Sequence, residues 1–200
     1  WVSGSKEQYR ALGEELAKNK ICTVVIDYSL APKAQHPKPV EELDAIIREL
    51  TSKKQGRCWW DHTYLMGHSA GAHMIAMWNA TYENPSVRGF IGLEGIYDLE
   101  RLLKVWPGYK DWFVAKAFGS DEKKYAAASP RGLKMKSKEP WLVVHSEKDE
   151  LVDLAQSMDF DTSLREQGIK SEMLKLKESS HFGVVEALRD SKADVTKKIL

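Results

Sequence analysis

The fold is decided by residues 64–78, which read Tyr64-Leu65-Met66-Gly67-His68-Ser69-Ala70-Gly71-Ala72-His73-Met74-Ile75-Ala76-Met77-Trp78. An apolar run leads into a Gly-x-Ser-x-Gly turn, and a longer apolar run leads out of it. This order predicts a strand, a sharp turn and a helix. A glycine on either side of Ser69 leaves room for the strand and the helix to approach closely. The serine hydroxyl is then exposed above the edge of a sheet, at the start of the helix.

Outward from this turn, strand-like apolar runs alternate with amphipathic helical runs along the whole chain. We expect strands over 21–27, 63–66, 87–93, 141–145 and 170–177. We expect helices over 5–20, 40–52, 70–81 and 154–167, and a short one near the C-terminus. Such alternation predicts a single α/β domain over 1–200, with a doubly wound, mostly parallel sheet of about five strands. Residues 96–140 contain no clear strand, and we expect a helical, cap-like insertion there, packed over the sheet edge.

Composition excludes several classes of partner. The 200 residues are 42% hydrophobic, enough for one core, and 30 basic residues face 29 acidic ones. This near-neutral charge predicts neither a nucleic-acid partner nor a membrane-surface partner. The sequence contains no run of about eighteen apolar residues, so we expect no membrane span. A homodimer stays open.

The two cysteines bear on the compartment. Cys22 and Cys58 are too few for a disulfide framework, and Cys22 lies in the predicted strand 21–27. We expect Cys22 to be a buried, reduced thiol, which favours a reducing compartment. The first residues, Trp1-Val2-Ser3-Gly4, carry no signal or transit character. A cytoplasmic location is therefore expected.

A serine hydroxyl needs a base to become nucleophilic at neutral pH, and the base needs a carboxylate to orient it. The strand predicted over 141–145 is followed by Ser146-Glu147-Lys148-Asp149-Glu150-Leu151, and the strand over 170–177 by Glu178-Ser179-Ser180-His181-Phe182. We assign Ser69 as nucleophile, His181 as general base and then acid, and Asp149 as the orienting acid. Glu147 or Asp153 could replace Asp149, although Asp153 also suits the N-cap of the next helix.

The backbone N–H of Ala70 follows the nucleophile at a helix N-terminus, so we assign it as one donor to the oxyanion. The other histidines compete less well for the role of base. We expect His68 to point away from the site, His73 to pack on its helix, and His145 to precede the acid in the wrong chain order. No histidine pair has metal-ligand spacing with a third ligand, and we expect neither a metal nor a cofactor.

Further stretches accompany the serine turn: Asp27-Tyr28-Ser29-Leu30-Ala31-Pro32, Gly95-Ile96-Tyr97-Asp98-Leu99, Ala128-Ser129-Pro130, and His181-Phe182 before Val184-Val185-Glu186. Together with Gly67-His68-Ser69-Ala70-Gly71-Ala72-His73 they resemble α/β-hydrolases of the hormone-sensitive-lipase and carboxylesterase type, and most closely the arylformamidases (kynurenine formamidases). The resemblance implies hydrolysis of N-formyl-L-kynurenine to kynurenine and formate, a step of tryptophan breakdown. The aromatic residues from Trp106 to Phe118, with Phe182, would form a wall for the leaving group or simply pack on the sheet.

The resemblance also implies an upstream strand that ends in His-Gly-Gly-x-Trp, with Trp1 as its last residue. The glycine amides of that motif would complete the oxyanion hole, and losing one such donor costs about 10²–10³ in rate. In the implied strand order a further strand lies between 21–27 and 63–66. The chain is then either a truncated piece of a longer protein, or these two strands pair directly.

Two other functions stay open at this point. The same three residues serve a carboxylesterase that acts on short acyl esters, and a small-molecule ester or formamide is the expected substrate in either case. A non-enzymatic fragment that only binds ligands or partners is the third hypothesis.

Overall fold

The computed structural model describes residues 1–52, 58–190 and 192–199, with the side chain of Val195 excepted. The described residues form one four-stranded, fully parallel sheet in the order β1-β2-β3-β4. Its strands are β1 (Thr63–His68), β2 (Val87–Leu93), β3 (Trp141–Ser146) and β4 (Ser171–Leu176). The register sets His68 opposite Leu93 at the carboxyl ends of β1 and β2. The loops that follow β1, β2, β3 and β4 therefore meet at one edge of the sheet.

The helices follow the predicted alternation. They are α1 (Arg10–Lys18, after a 3₁₀ turn at Lys6–Tyr9), α2 (Lys38–Ser52), α3 (Ala70–Thr81), α4 (Leu99–Val105), α5 (Ala115–Phe118), α6 (Leu154–Glu166), α7 (Gly183–Ala187) and α8 (Asp194–Ile199). The bounds of β2 and α3 are the predicted ones, and the other confirmed elements shift by a few residues at their ends. The α/β class with a parallel sheet is confirmed.

Helices cover both faces of the sheet. On one face α2, α3 and α6 pack against Phe90, Trp141 and Val143. On the other face α1 and α7 pack against Leu93 and Val144. A sheet buried on both faces explains why its inner strands are apolar almost throughout, without the alternation of a half-exposed sheet. Burial all round α3 likewise explains its lack of a polar face.

The segment between β2 and β3 contains short helical turns rather than strands. After α4 come a π-helical turn at Lys110–Val114, then α5, then 3₁₀ turns at Glu122–Lys124, Ala126–Ala128 and Pro130–Gly132. Leu99, Leu102 and Val114 are fully buried in a third apolar cluster. This cluster also takes in Ala31, which follows the extended segment, and Val152, which follows β3. The segment is thus tied to loops at the carboxyl edge of the sheet.

The strand predicted over 21–27 is wrong. The structure shows extended chain there without a ladder to any described strand, and Ile21 and Val24 are 41% and 47% exposed. The described residues therefore hold four strands rather than five, and direct pairing of this segment with β1 is also wrong. The β-branched run favours extended backbone, but a strand needs a neighbour about 4.8 Å away to receive its hydrogen bonds. The segment lies instead beside α1, with Val25 and Thr23 near Gly13.

The prediction for Cys22 fails for the same reason. Cys22 is exposed and forms a disulfide with Cys58, with 5.8 Å between the Cα atoms. A buried thiol required a buried strand, and the segment 21–27 is not one. The inference of a reducing compartment thereby loses its support. Within the described residues no helix is long and apolar enough to span a bilayer.

Candidate active site

Ser69 occupies a strained turn between β1 and α3. It has φ 54° and ψ −116°, and a positive φ is one that non-glycine residues rarely adopt. A Cβ on Gly67 would lie 2.3 Å from the carbonyl carbon and oxygen of Gly71, whereas a Cβ on Gly71 would meet nothing within 4 Å. The expectation that both glycines make room is therefore half wrong, since the close approach needs only Gly67. The strain holds the serine above the sheet edge, as the turn predicts.

The hydroxyl group of Ser69 and the backbone N–H of Ala70 are both available to a substrate. The backbone N–H of Ser69 donates to the Leu93 carbonyl at 2.8 Å, which anchors the turn to β2. No residue in the described parts of the chain forms a hydrogen bond with Ser69 Oγ. Ala70 is the first residue of α3, so its N–H has no partner within the helix. An N–H at a helix N-terminus can donate a hydrogen bond to an oxygen on which negative charge develops.

Asp149 and His181 meet in the structure. His181 Nδ1 donates to Asp149 Oδ2 at 2.8 Å, and the other oxygen, Oδ1, accepts the N–H groups of Leu151 at 2.8 Å and Val152 at 2.9 Å. Burial alone would raise the pKa of Asp149, but the hydrogen bonds from His181 and Glu94 outweigh it and lower that pKa to about 2. An ionised carboxylate accepts only, so the imidazole proton lies on Nδ1 and Nε2 is free to act as a base.

The two alternative acids lie elsewhere. Glu147 is exposed at the end of β3. Asp153 occupies the N-cap position of α6 but makes no side-chain cap bond, and its carboxylate instead binds Arg101 Nη2 at 2.8 Å. Among the three candidate acids, Asp149 is the one that the structure brings to His181.

His68 contacts His181, contrary to the expectation that it points away. Its Nε2–H donates to the His181 carbonyl at 2.8 Å, its Nδ1 accepts from Tyr9 Oη at 3.0 Å, and the two imidazole rings are 4.8 Å apart. Burial, helped by the nearby imidazole of His181, lowers the pKa of His68 to about 4, so the ring is neutral. His68, which precedes Ser69 in the chain, thus contacts His181, which is hydrogen-bonded to Asp149. Glu150 Oε2 accepts the His181 N–H at 3.1 Å and holds the same loop.

Glu94 is a site residue that the sequence analysis missed. It follows β2 with φ 47°, and its side chain is fully buried. Its Oε1 and Oε2 accept the Ser146 N–H at 3.0 and 3.1 Å, and burial together with a hydrogen bond to Asp149 raises its pKa to about 9. The available signal was a lone acidic residue between the apolar strand and Gly95.

His145 completes a buried polar cluster with these two acids. Glu94, His145 and Asp149 are metal-ligating side-chain types, and their ligand atoms lie within 4.8 Å of one another. His145 Nδ1 accepts from Ser157 Oγ at 2.8 Å, and its Nε2–H donates to the Val152 carbonyl at 3.0 Å. Burial lowers the pKa of His145 and keeps it neutral. Because both ring nitrogens already have protein partners, the cluster is better described as a hydrogen-bond network than as an open metal site.

The aromatic residues near the site divide into two groups. Phe118 is buried against Trp1 and His73, and His73 itself packs in the core, as expected. Phe182 is 55% exposed and lies against the His181 ring at 5.1 Å, while Trp112 is 58% exposed. Packing therefore accounts for Phe118, and Phe182 presents an open aromatic surface beside the imidazole.

The chain is similar in sequence and in fold to known proteins. The BD-FAE family model matches residues 1–164. Kynurenine formamidase from Danio rerio is 27% identical over 210 residues, which are 100% of this chain and 68% of that protein. Esterase LipQ from Mycobacterium tuberculosis is 26% identical over 185 residues, 84% of this chain and 44% of that protein. The crystal structure of esterase B from Lactobacillus rhamnosis (HN001) superposes with a TM-score of 0.81 at 15% identity, over 100% of this chain and 69% of that one. The chain therefore has the α/β-hydrolase fold, is similar to kynurenine formamidases and esterases, and belongs to the BD-FAE family.

Proposed function

We propose that this hydrolase cleaves N-formyl-L-kynurenine to kynurenine and formate with Ser69 as nucleophile, His181 as base and acid, and Asp149 as orienting acid. The observation that carries the proposal is the 2.8 Å hydrogen bond between Asp149 and His181, at the sheet edge where Ser69 stands in its strained turn. A serine after β1, an acid after β3 and a histidine after β4, in this chain order, suit acyl transfer.

The first half of the reaction forms a formyl-enzyme. His181 Nε2 takes the proton of Ser69 Oγ as Oγ attacks the formyl carbon, and the Asp149 carboxylate stabilises the imidazolium that results. The N–H of Ala70 donates to the oxygen that becomes negatively charged. His181 then returns the proton to the aniline nitrogen as the C–N bond breaks, and kynurenine departs.

The second half regenerates the enzyme. Water takes the place of the departed amine, and His181 Nε2 accepts its proton as its oxygen attacks the formyl carbon. Collapse of this second tetrahedral intermediate breaks the bond to Ser69 Oγ, which takes back the proton from His181. Formic acid leaves and releases its proton to solvent as formate, and one water has been consumed for each formamide bond that is cleaved.

A formamide with an aromatic leaving group suits the surroundings of His181. The leaving nitrogen must come close to the imidazole, and the open ring of Phe182 lies 5.1 Å from that imidazole. An aniline ring whose nitrogen reaches the imidazole would therefore lie beside Phe182, and such an aromatic pair is favourable by about 0.5–1.5 kcal/mol. The similarity to kynurenine formamidase from Danio rerio, which extends over the whole chain, supports the same substrate.

A carboxylesterase that acts on short acyl esters is the second candidate. The similarity to esterase LipQ favours it, since that protein is about as identical to this chain as the formamidase is. The same three side chains and the same oxyanion donor would serve, with an alcohol rather than an aniline as leaving group.

One kinetic comparison separates the two candidates. We expect kcat/KM for N-formyl-L-kynurenine to equal or exceed that for p-nitrophenyl acetate, and Ser69→Ala to lower both by about 10⁶. Ser120→Ala, which changes an exposed serine, is the matched control and keeps wild-type turnover. Formamide turnover lower than ester turnover by orders of magnitude would reject the formamidase and favour the esterase.

A further inference from the structure

We propose that Glu94 is a positioning residue, whose carboxyl group holds a proton and donates it to the Asp149 carboxylate. The two buried acids then carry one negative charge between them, and Asp149 is fixed in the orientation that binds His181. This inference rests on the proposed function, because the orientation of Asp149 matters only if His181 acts on Ser69.

The backbone conformation and the burial of Glu94 both cost free energy, so some interaction must offset that cost. Its φ of 47° lies in the left-handed region, where a side chain is strained, and its side chain is completely excluded from solvent. A strained backbone costs on the order of 1–3 kcal/mol and persists only where the surroundings hold it. A buried acid adds a further cost unless it is neutral or well paired. The hydrogen bonds of Glu94 to Ser146 and Asp149 are therefore the interactions that must offset this cost.

Hydrogen-bond donors decide which of the two acids holds the proton. Asp149 accepts three N–H groups, one from His181, one from Leu151 and one from Val152. Glu94 accepts one, the N–H of Ser146, which its two oxygens share. His145 Nε2 lies 3.3 Å from Glu94 Oε2 and 3.5 Å from Asp149 Oδ2, and its proton is donated to the Val152 carbonyl, so it does not favour either acid. Two neighbouring buried carboxylates cannot both ionise cheaply, and the one with more donors keeps its charge. The proton accordingly lies on Glu94, where it can be donated to Asp149.

The remaining groups that face Glu94 also favour its protonated form. Asp149 and Glu150 bring negative charge from the loop after β3, His145 faces it from β3 as a neutral ring, and Tyr97 is a buried neutral phenol. None of the described groups that face Glu94 supplies a permanent positive charge. Burial and the bond to Asp149 raise the pKa of Glu94 to about 9, in agreement with the donor count.

A metal ion is the competing explanation for Glu94, His145 and Asp149. Such an ion would need a lone pair from His145, whose Nδ1 accepts from Ser157 and whose Nε2–H donates to Val152. It would also draw Asp149 Oδ2 away from His181. The contacts therefore favour the proton over the metal, and chelation tests the choice.

The kinetic test compares two substitutions. Glu94→Gln keeps an acceptor for Ser146 and an N–H donor for Asp149 but cannot ionise, so we expect near-wild-type kcat at neutral pH. Wild-type kcat/KM should fall as the pH rises past about 9, where Glu94 ionises, and the Gln variant should lack this fall. Glu94→Ala removes the donor, and kcat should drop about tenfold with KM little changed. An identical high-pH limb in wild type and Glu94→Gln, or wild-type kcat in Glu94→Ala, would overturn the proposal.

An infrared measurement reads the proton without relying on turnover. At pH 7 we expect the carbonyl stretch of a buried protonated acid in wild type, its absence in Glu94→Gln, and no change when EDTA is added. Absence of this band in wild type refutes the proposal, and so does turnover that EDTA abolishes and Zn²⁺ restores. If the band is present but no Ser69-dependent turnover is found, the proposed function fails and the positioning role fails with it, while the proton on Glu94 stands.

Discussion

Asp149 differs from the acids around it by the number of N–H groups aimed at its carboxylate. Three donors hold it ionised although its side chain is fully buried, whereas Asp153 pairs with Arg101 in a partly exposed ion pair. A buried, oriented carboxylate can fix the tautomer of His181, and an exposed ion pair contributes little to stability.

Exchange of each acid for its amide tests this difference. Asp149→Asn should lower kcat by about 10⁴, because the amide lets the imidazole settle in the wrong tautomer. Asp153→Asn, the matched control, should keep kcat near wild type. Steady-state kinetics on whichever substrate the wild type hydrolyses provides the measurement, and equal loss in both variants would contradict the assignment.

At the level of single residues, chain order predicts part of the site. A serine turn, an acid and a histidine, each after a predicted strand and in this chain order, suggested that Asp149 and His181 would meet, and they do. Glu94 and His68 escaped prediction because their partners lie 52 and 113 residues away along the chain. Nothing in the sequence near Glu94 indicates a φ of 47°, which tertiary contacts impose.

The turn between β1 and α3 is the element on which the site depends, and its two glycines have different roles. Gly67→Ala would force a Cβ to within 2.3 Å of the Gly71 backbone, so β1 and α3 would have to separate. Gly71→Ala meets no atom within 4 Å and adds a better helix former to α3.

We expect Gly67→Ala to lower the melting temperature and to abolish turnover, and Gly71→Ala to keep the melting temperature at or above that of wild type. Thermal unfolding followed by circular dichroism, with activity measured on the same samples, gives the comparison. A folded and fully active Gly67→Ala protein would show that the close approach of strand and helix is not required.

A strand or a helix is predictable from sequence where its own pattern of apolar residues is matched by neighbouring elements that bury it. The bounds of β2 and α3 match because both are buried, uninterrupted apolar runs. The segment 21–27 carries an equally apolar run, yet it has no strand beside it among the described residues. Propensity favours extended chain there, but ladder hydrogen bonds come only from a partner, which a local pattern cannot reveal.

On the scale of the whole molecule, the disulfide ties the extended segment to the approach to β1. Cys22 and Cys58 are 36 residues apart, and a loop of that length corresponds to about 3–4 kcal/mol of stabilisation in the chain-entropy estimate. Reduction should lower the free energy of unfolding by about this amount. The pairing was missed because a buried strand was expected at Cys22.

Urea unfolding with and without dithiothreitol measures the effect. Cys22→Ser should resemble reduced wild type and should not respond to the reductant, which makes it the control. If the reductant leaves wild-type stability unchanged, the disulfide does not contribute in this way.

The stability of the molecule should also depend on pH through Glu94. Burial and its bond to Asp149 raise the Glu94 pKa from 4.5 to about 9, so across this window the folded chain holds a proton that the unfolded chain has lost. The free energy of unfolding should then fall as the pH rises, by about 1.4 kcal/mol per pH unit from this group. Below pH 4.5 Glu94 is protonated in both the folded and the unfolded chain, so its contribution to the free energy of unfolding no longer changes with pH. Urea unfolding between pH 6 and pH 9 should show a flatter dependence for Glu94→Gln than for wild type, and equal slopes would contradict a buried neutral acid.

Covalent labelling with a fluorophosphonate, followed by peptide mass spectrometry, examines the nucleophile itself. We predict one adduct on Ser69, lost in Ser69→Ala and strongly slowed in His181→Ala, because the hydroxyl reacts only when His181 accepts its proton. An unlabelled wild-type chain, or an adduct that persists on another residue in Ser69→Ala, would contradict the assignment of Ser69 as the nucleophile of this hydrolase.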